Sequence, residues 1–191
     1  NGGLVNFTSF LKNEVLPFVE SHYTISPFKI FIKHSLGRIA VIHTLLTRPY
    51  LFNSWVAIDP SLWWDDRLIN TMSDSLKHKS KYADESLYLA IANTMPEDMT
   101  VDKVVKDTSM NTEHIRSILE FSDFANGKMK SNGMEFRSKY YDAEDHGSLP
   151  LIAEIDALKY LFKWYAFGFK DLEKFMNPSS TADTKEFVDL V

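Results

Sequence analysis

Four short runs of apolar, β-branched and aromatic residues, spaced by stretches of helical periodicity, limit what this chain can fold into more than any other feature. The runs cover residues 29–34, 53–58 (NSWVAI), 85–92 (ESLYLAIA) and 135–141 (EFRSKYY). Before the first, Phe7, Phe10, Leu11, Val15, Phe18 and Val19 recur at helical spacing, with Pro17 expected to kink the helix. Residues 37–46 read as a helix that stops before Arg48-Pro49, because a residue preceding proline disfavours the αR region. Residues 65–79 read as a helix with a polar face, and 95–109 as a loop with a short turn. Residues 111–125 form a further helix, stopped by Asn126-Gly127. Residues 150–167 form a long amphipathic one, with Leu151, Ile155, Leu158, Leu161, Phe162 and Tyr165 on one face. Strands alternating with helices imply an α/β fold, a parallel sheet with helices on both faces. Four strands make a thin sheet of this kind, whose edge buries poorly, and further strands are expected outside the sequence.

The composition narrows the function. With 191 residues, 45% hydrophobic and 14% aromatic, the chain can bury a core and is not a disordered tail. Its net charge of −5 argues against nucleic acid, which needs clustered lysine and arginine. No stretch reaches the roughly 20 apolar residues of a membrane span. The absence of cysteine removes disulfides, thiolate metal sites and cysteine nucleophiles, but leaves the compartment open between periplasm and cytoplasm. The ends, Asn1-Gly2-Gly3 without a methionine and a helical-looking TKEFVDLV, read as those of a piece. No metal-ligand spacing and no glycine-rich phosphate loop occurs, so neither metal nor cofactor is expected.

The candidate chemistry begins where the first strand meets the second helix, at His34-Ser35-Leu36-Gly37. A nucleophile elbow is a strand, a tight turn that strains a serine, and an immediate helix whose N-terminal N–H groups can face an oxyanion. The crowding asks for small residues two positions before and after the serine. Gly37 satisfies it, and Lys33 does not. A serine between strand and helix also serves as an ordinary N-cap, so spacing alone leaves the two readings level.

His146 tips that balance. It lies in a polar loop, YDAEDHGSLP, after the last strand and before the last helix, where an α/β-hydrolase carries its base. A serine needs such an imidazole to take its proton. The other histidines are less well placed: His22 and His43 in helix patterns, His78 and His114 on solvated helix faces, His34 beside the serine itself.

These residues carry a resemblance. The run KHSLGRIAVIHTLLTRPYLFNSWVAIDPSLWWDD resembles the putative-esterase branch of the α/β-hydrolases, which includes esterase D-like and siderophore-ester hydrolases. Its pattern is G-H-S-x-G-G, a helix, P-x-L-F, then a strand entering S-P-S-x-W-W. His34, Ser35, Gly37, Pro49, Leu51, Phe52, Pro60, Ser61, Trp63 and Trp64 match it, and His146 in EDHGSLPLIAEIDALKYLF matches the catalytic histidine. The likeness spans roughly residues 4–170. It implies the C-terminal portion of an α/β-hydrolase fold in 1–170, with 171–191 beginning a helical extension. Lys33 and Arg38 depart from the two outer glycines, and Asp59 stands where serine often precedes the proline. The family's first half supplies further strands and one oxyanion donor, which leaves the Leu36 N–H from that pair here.

By family order the acid follows the third strand, where Glu97 and Asp98 stand, and Asp98 is the candidate taken forward. Acidic residues in a loop are more often simply solvated, and that is the commoner reading of both. Asp142, Glu144 and Asp145 are too near His146 in sequence to reach its ring usefully, and a serine–histidine dyad without an acid stays open. Trp63 and Trp64 either wall a substrate pocket, with His34 beside them, or seal the core. Tyr160, Phe162, Trp164, Phe167 and Phe169 read as core. Lys33 either holds an anionic substrate or, the preferred reading, distorts the turn or snorkels out of it.

The expectation is thus a serine carboxylester hydrolase acting on a small-molecule ester through an acyl-enzyme, inactive as the isolated piece. Two further readings stand beside it: a non-catalytic relative kept for binding, and a piece that self-associates into a homo-oligomer through its exposed sheet edge.

Overall fold

The computed structural model describes residues 3–64, 82–83 and 85–165. The helix expected over 65–79, Phe167, Phe169 and the extension at 171–191 lie outside the described residues. By internal contacts the chain divides into Asn1–Ala157 and Leu158–Val191.

In the first unit four parallel strands form one sheet in chain order: β1 (Ile30–His34), β2 (Ser54–Ile58), β3 (Ser86–Ala92) and β4 (Glu135–Tyr141). The α/β fold, the parallel sheet and all four strands are therefore as the alternation of elements predicts. β2 is buried throughout and β3 almost so, which is why SWVAI and SLYLAIA read as unbroken apolar runs rather than alternating ones. β1 and β4 are the outer strands of the described sheet, and in β4 only Phe136 and Tyr141 are buried.

The register sets Phe31, Trp55, Leu87 and Phe136 side by side in one row across the sheet. That row packs into one cluster with Ile39, Ile42 and Leu45 of α3 (Arg38–Thr47) and Ile115, Ile118 and Phe121 of α4 (Glu113–Phe124). The opposite face carries Val56, Tyr88 and Ala90 and meets α5 (Leu149–Leu161). There Tyr141 donates to Asp156 at 2.9 Å and shares a 2.8 Å hydroxyl contact with Tyr88.

Two helical details differ from expectation. The first helix is drawn as α1 (Leu4–Phe10), a π turn at Leu11–Val15 and α2 (Leu16–His22). Pro17 has no N–H for the carbonyl four residues back, and a widened turn directly before it absorbs that loss. In α5 the large apolar stripe does not face the sheet. Leu149, Ala153 and Ala157 are buried, whereas Leu151 is 70% and Ile155 46% exposed. The buried positions are mostly small, and periodicity reported the stripe without its direction.

Of the second unit the described part runs from Leu158 to Tyr165 and ends in a 3₁₀ turn, Lys163–Tyr165. Trp164, read as core from its sequence, is 69% exposed. No helix among the described residues is long and apolar enough to cross a membrane.

Candidate active site

β1 ends at His34, and the chain turns through a single 3₁₀ turn, Ser35–Gly37, into α3. Ser35 sits at φ 61°, in the left-handed region that a serine rarely occupies. Such a conformation costs about 1–3 kcal/mol and persists only where its surroundings over-determine it. Here β1 and α3 hold both sides of the turn, and the serine is lifted off the C-terminal edge of the sheet, the edge where α/β folds build their sites.

Lys33 does not spoil this turn. A Cβ on Gly37 would meet Lys33 Cδ at 3.3 Å, so the lysine stem occupies the space beside the glycine. Its ammonium lies 6.0 Å from the centre of the Phe7 ring, a cation–π arrangement on α1. The side chain is led away along its own aliphatic stem.

His146 projects from the loop between β4 and α5 back to the same place. Its Nε2 stands 3.4 Å from Ser35 Oγ. The loop is fixed from several sides. His34 Nε2 donates to the His146 carbonyl at 2.9 Å, and the Asn93 N–H donates to the Glu144 carbonyl at 2.7 Å. The Asp145 carboxylate accepts from the N–H groups of Gly147 and Ser148, and those bonds hold its pKa below the usual carboxylate range.

The carboxylate on the far side of the ring belongs to Asp59, not Asp98. Asp59 follows β2 directly, is fully buried and takes φ 49°. Its Oδ2 accepts from His146 Nδ1 at 2.6 Å, and its Oδ1 accepts from the Ala92 N–H at 3.2 Å. With Nδ1 carrying the proton toward Asp59, Nε2 presents its lone pair to the serine hydroxyl. Asp98 is exposed in the loop after β3, where its backbone carbonyl accepts from Lys103 Nζ; Glu97 beside it is exposed too. The family-order argument pointed past β3, whereas the carboxylate that reaches His146 comes one strand earlier. A signal was present: Asp59 ends an apolar run, and a carboxylate at the C-terminal end of a buried strand has a reason to be there.

A second residue was misjudged. His114, read as a solvated helix residue, points from α4 into the site, with Nε2 2.9 Å from the same Asp59 Oδ2. Asp59, His114 and His146 thus bring three donor atoms within 4.8 Å of one another, a cluster no sequence spacing announced. Hydrogen bonds of 2.6 and 2.9 Å into one oxygen account for it without an ion.

An open cavity of about 650 Å³ reaches the site at His146 and His114, walled by Trp63, Trp64, Met110 and Glu113. Trp63 and Trp64 are 38% and 50% exposed and lie edge to face at 5.7 Å, so neither seals the core. His34 reaches the His146 backbone, as above. The backbone at Leu36 lies in the 3₁₀ turn directly after the serine.

Residues 1–146 match the family model described as "Putative esterase". Over 81 residues, 37% of this chain and 24% of that protein, the sequence is 35% identical to a siderophore enterobactin esterase of Emericella nidulans. It is 33% identical over 70 residues, 36% and 24% of the two chains, to a siderophore triacetylfusarinine C esterase of Aspergillus fumigatus. The fold is similar to that of an IroE-like serine hydrolase from Shewanella oneidensis, with a TM-score of 0.71 at 24% identity, over all of this chain and 56% of that one. The matched stretches span 24% of each of these two esterases' length.

Proposed function

From a chain that belongs to the putative-esterase family, we propose a serine carboxylester hydrolase centre in which Ser35 is the nucleophile, His146 the base and Asp59 the acid. The observation that carries the reading is the strained Ser35 turn, φ 61°, with the Asp59-bound imidazole 3.4 Å from its hydroxyl. A contact of that length is looser than a working hydrogen bond, as is common before substrate closes a site.

In this reading Ser35 Oγ attacks the ester carbonyl carbon while His146 Nε2 takes the hydroxyl proton. The carbonyl oxygen becomes an oxyanion held by the Leu36 N–H at the start of the helix. Collapse breaks the ester C–O bond, and the imidazolium returns its proton to the leaving alkoxide. Water, deprotonated in turn by His146, attacks the acyl-serine and releases the acid. Asp59 holds the Nδ1–H tautomer throughout and stabilises the transient imidazolium. Trp63 and Trp64 would flank the substrate in the cavity. The named relatives act on siderophore esters, and that class of small-molecule ester is the substrate proposed here.

A decayed, binding-only elbow is the weaker reading, because Lys33 is accommodated without losing the turn. The test is hydrolysis of a short-chain p-nitrophenyl ester by the protein and its Ser35→Ala variant. The variant should lose turnover while keeping its thermal transition. Turnover equal to the unmodified protein would remove Ser35 as the nucleophile.

A further inference from the structure

The Asp59 carboxylate takes two imidazoles on one oxygen. His146 Nδ1 lies 2.6 Å from Oδ2 and His114 Nε2 lies 2.9 Å from it, while Oδ1 accepts the Ala92 N–H. The two rings meet edge to face, with centroids 5.9 Å apart. A base-orienting carboxylate needs one imidazole on it, and the second comes from a different element, the first turn of α4. Asp59 is fully buried, so every donor on it changes how its charge is distributed.

We propose that His114 is a positioning residue for this centre: its Nε2–H pins the Asp59 carboxylate and shares the negative charge that would otherwise fall on His146 alone. The proposal rests on the serine-hydrolase reading for its catalytic meaning but not for its geometry. An anion with two donors on one oxygen is a weaker acceptor toward each. His114 therefore moderates the basicity of His146 and fixes the rotation of the carboxylate. Other groups near His146 are His34 from the end of β1, Asp145 beside it in sequence, and Glu113 across the cavity from α4.

His114→Phe keeps an aromatic ring and removes the donor. His114→Gln keeps an N–H near the position of Nε2 and removes the ring's titration. The readout is the titration of the His146 ring, followed by long-range proton–nitrogen NMR on the full chain, whose six histidines keep the spectrum tractable. In His114→Phe the His146 midpoint should rise by at least about half a pH unit, roughly a threefold change in its proton affinity. In His114→Gln it should stay close to that of the unmodified protein. The acid limb of kcat for a p-nitrophenyl ester should move with it, while KM holds.

An unmoved or lowered midpoint in a folded His114→Phe protein overturns the proposal. Equal movement in both variants also overturns it, because it would assign the effect to the charge of His114 rather than its hydrogen bond. The NMR titration needs no turnover. A Ser35→Ala protein that still hydrolyses ester defeats the proposed function without touching this result.

Discussion

Asp59 Oδ2 lies 2.6 Å from His146 Nδ1 across 87 positions of sequence. One residue ends a buried strand and the other tops a surface loop. The parallel order of the sheet puts both strand ends at one edge, so a contact between such distant residues needs no unusual path through the fold. Because the Asp59 carboxylate is buried and already committed to backbone and imidazole donors, it is pre-organised rather than recruited by substrate.

Asp59→Asn should therefore keep the fold and lose most of the activity. An amide at this place donates as readily as it accepts, and it favours the imidazole tautomer whose proton sits on Nε2, facing the serine. The expected loss in kcat is about 10³–10⁴-fold, the size seen when an orienting carboxylate is neutralised in a serine triad. Asp98→Asn, in the exposed loop after β3, should stay within about twofold, the scatter of surface substitutions that touch nothing reactive. Steady-state kinetics on both variants decide between the two carboxylates.

The elbow gives a coupled pair. Gly37 has an ordinary φ of −66°, so alanine is allowed there by the backbone and opposed by the 3.3 Å approach of Lys33 Cδ. Gly37→Ala should destabilise the protein by about 1 kcal/mol, at the low end for overpacking because the opposing group is a flexible stem. In a Lys33→Ala background the same change should cost nothing. Denaturant melts of the two single variants and the double variant read the coupling directly, and an additive result would mean the two side chains do not meet.

Much of this was legible beforehand because it depends on local pattern. β2 and β3 are short apolar runs rich in β-branched and aromatic residues, which favours buried strands between helices. Ser35 and His146 stood out because a strand–turn–helix and a glycine-containing loop are both local signatures. Asp59 carried only the weak mark of an acid ending an apolar run, and His114 carried none. Each meets His146 only through the three-dimensional closeness of strand ends and helix start, and nothing in the sequence says that the two converge on one imidazole. The α5 stripe failed for a related reason: period 3.6 locates a face, while the choice of which face is buried belongs to the partner surface. Lys33 read as damage because the rule concerns Cβ crowding, and a stem that lies flat over Gly37 satisfies the rule in another way.

The turn that carries α4 supplies a pH prediction. Asp107 accepts from Ser109 Oγ at 2.5 Å and Thr112 Oγ1 at 2.6 Å, and these hydrogen bonds hold its pKa down to about 2. Its folded pKa lies below the unfolded one. The stabilisation is therefore fully present above the ordinary aspartate value of 3.8 and lost as pH falls through about 2. Asp107→Ala should lower the melting temperature at pH 6, and the gap to the unmodified protein should close between pH 4 and 2. A gap that stayed constant over that range would mean the carboxylate's charge is not what holds the turn.

The last prediction concerns the cavity walls. Trp63 and Trp64 lie edge to face beside His146's pocket and are too exposed to be holding the core. Replacing Trp64 by alanine should thus cost less than about 1 kcal/mol of stability, well below the several kcal/mol of a buried tryptophan. Its effect on turnover should depend on substrate. An acetyl ester reaches little beyond the serine, so its kcat/KM should change by no more than about threefold. An ester with a large aromatic or branched group would lose contact with the indole, about 1–3 kcal/mol or roughly 5–150-fold in kcat/KM. If both esters slowed equally, the tryptophan would be supporting the catalytic loop instead of the substrate. If neither slowed, the substrate would enter from another side, and the cavity beside His146 would have no part in binding.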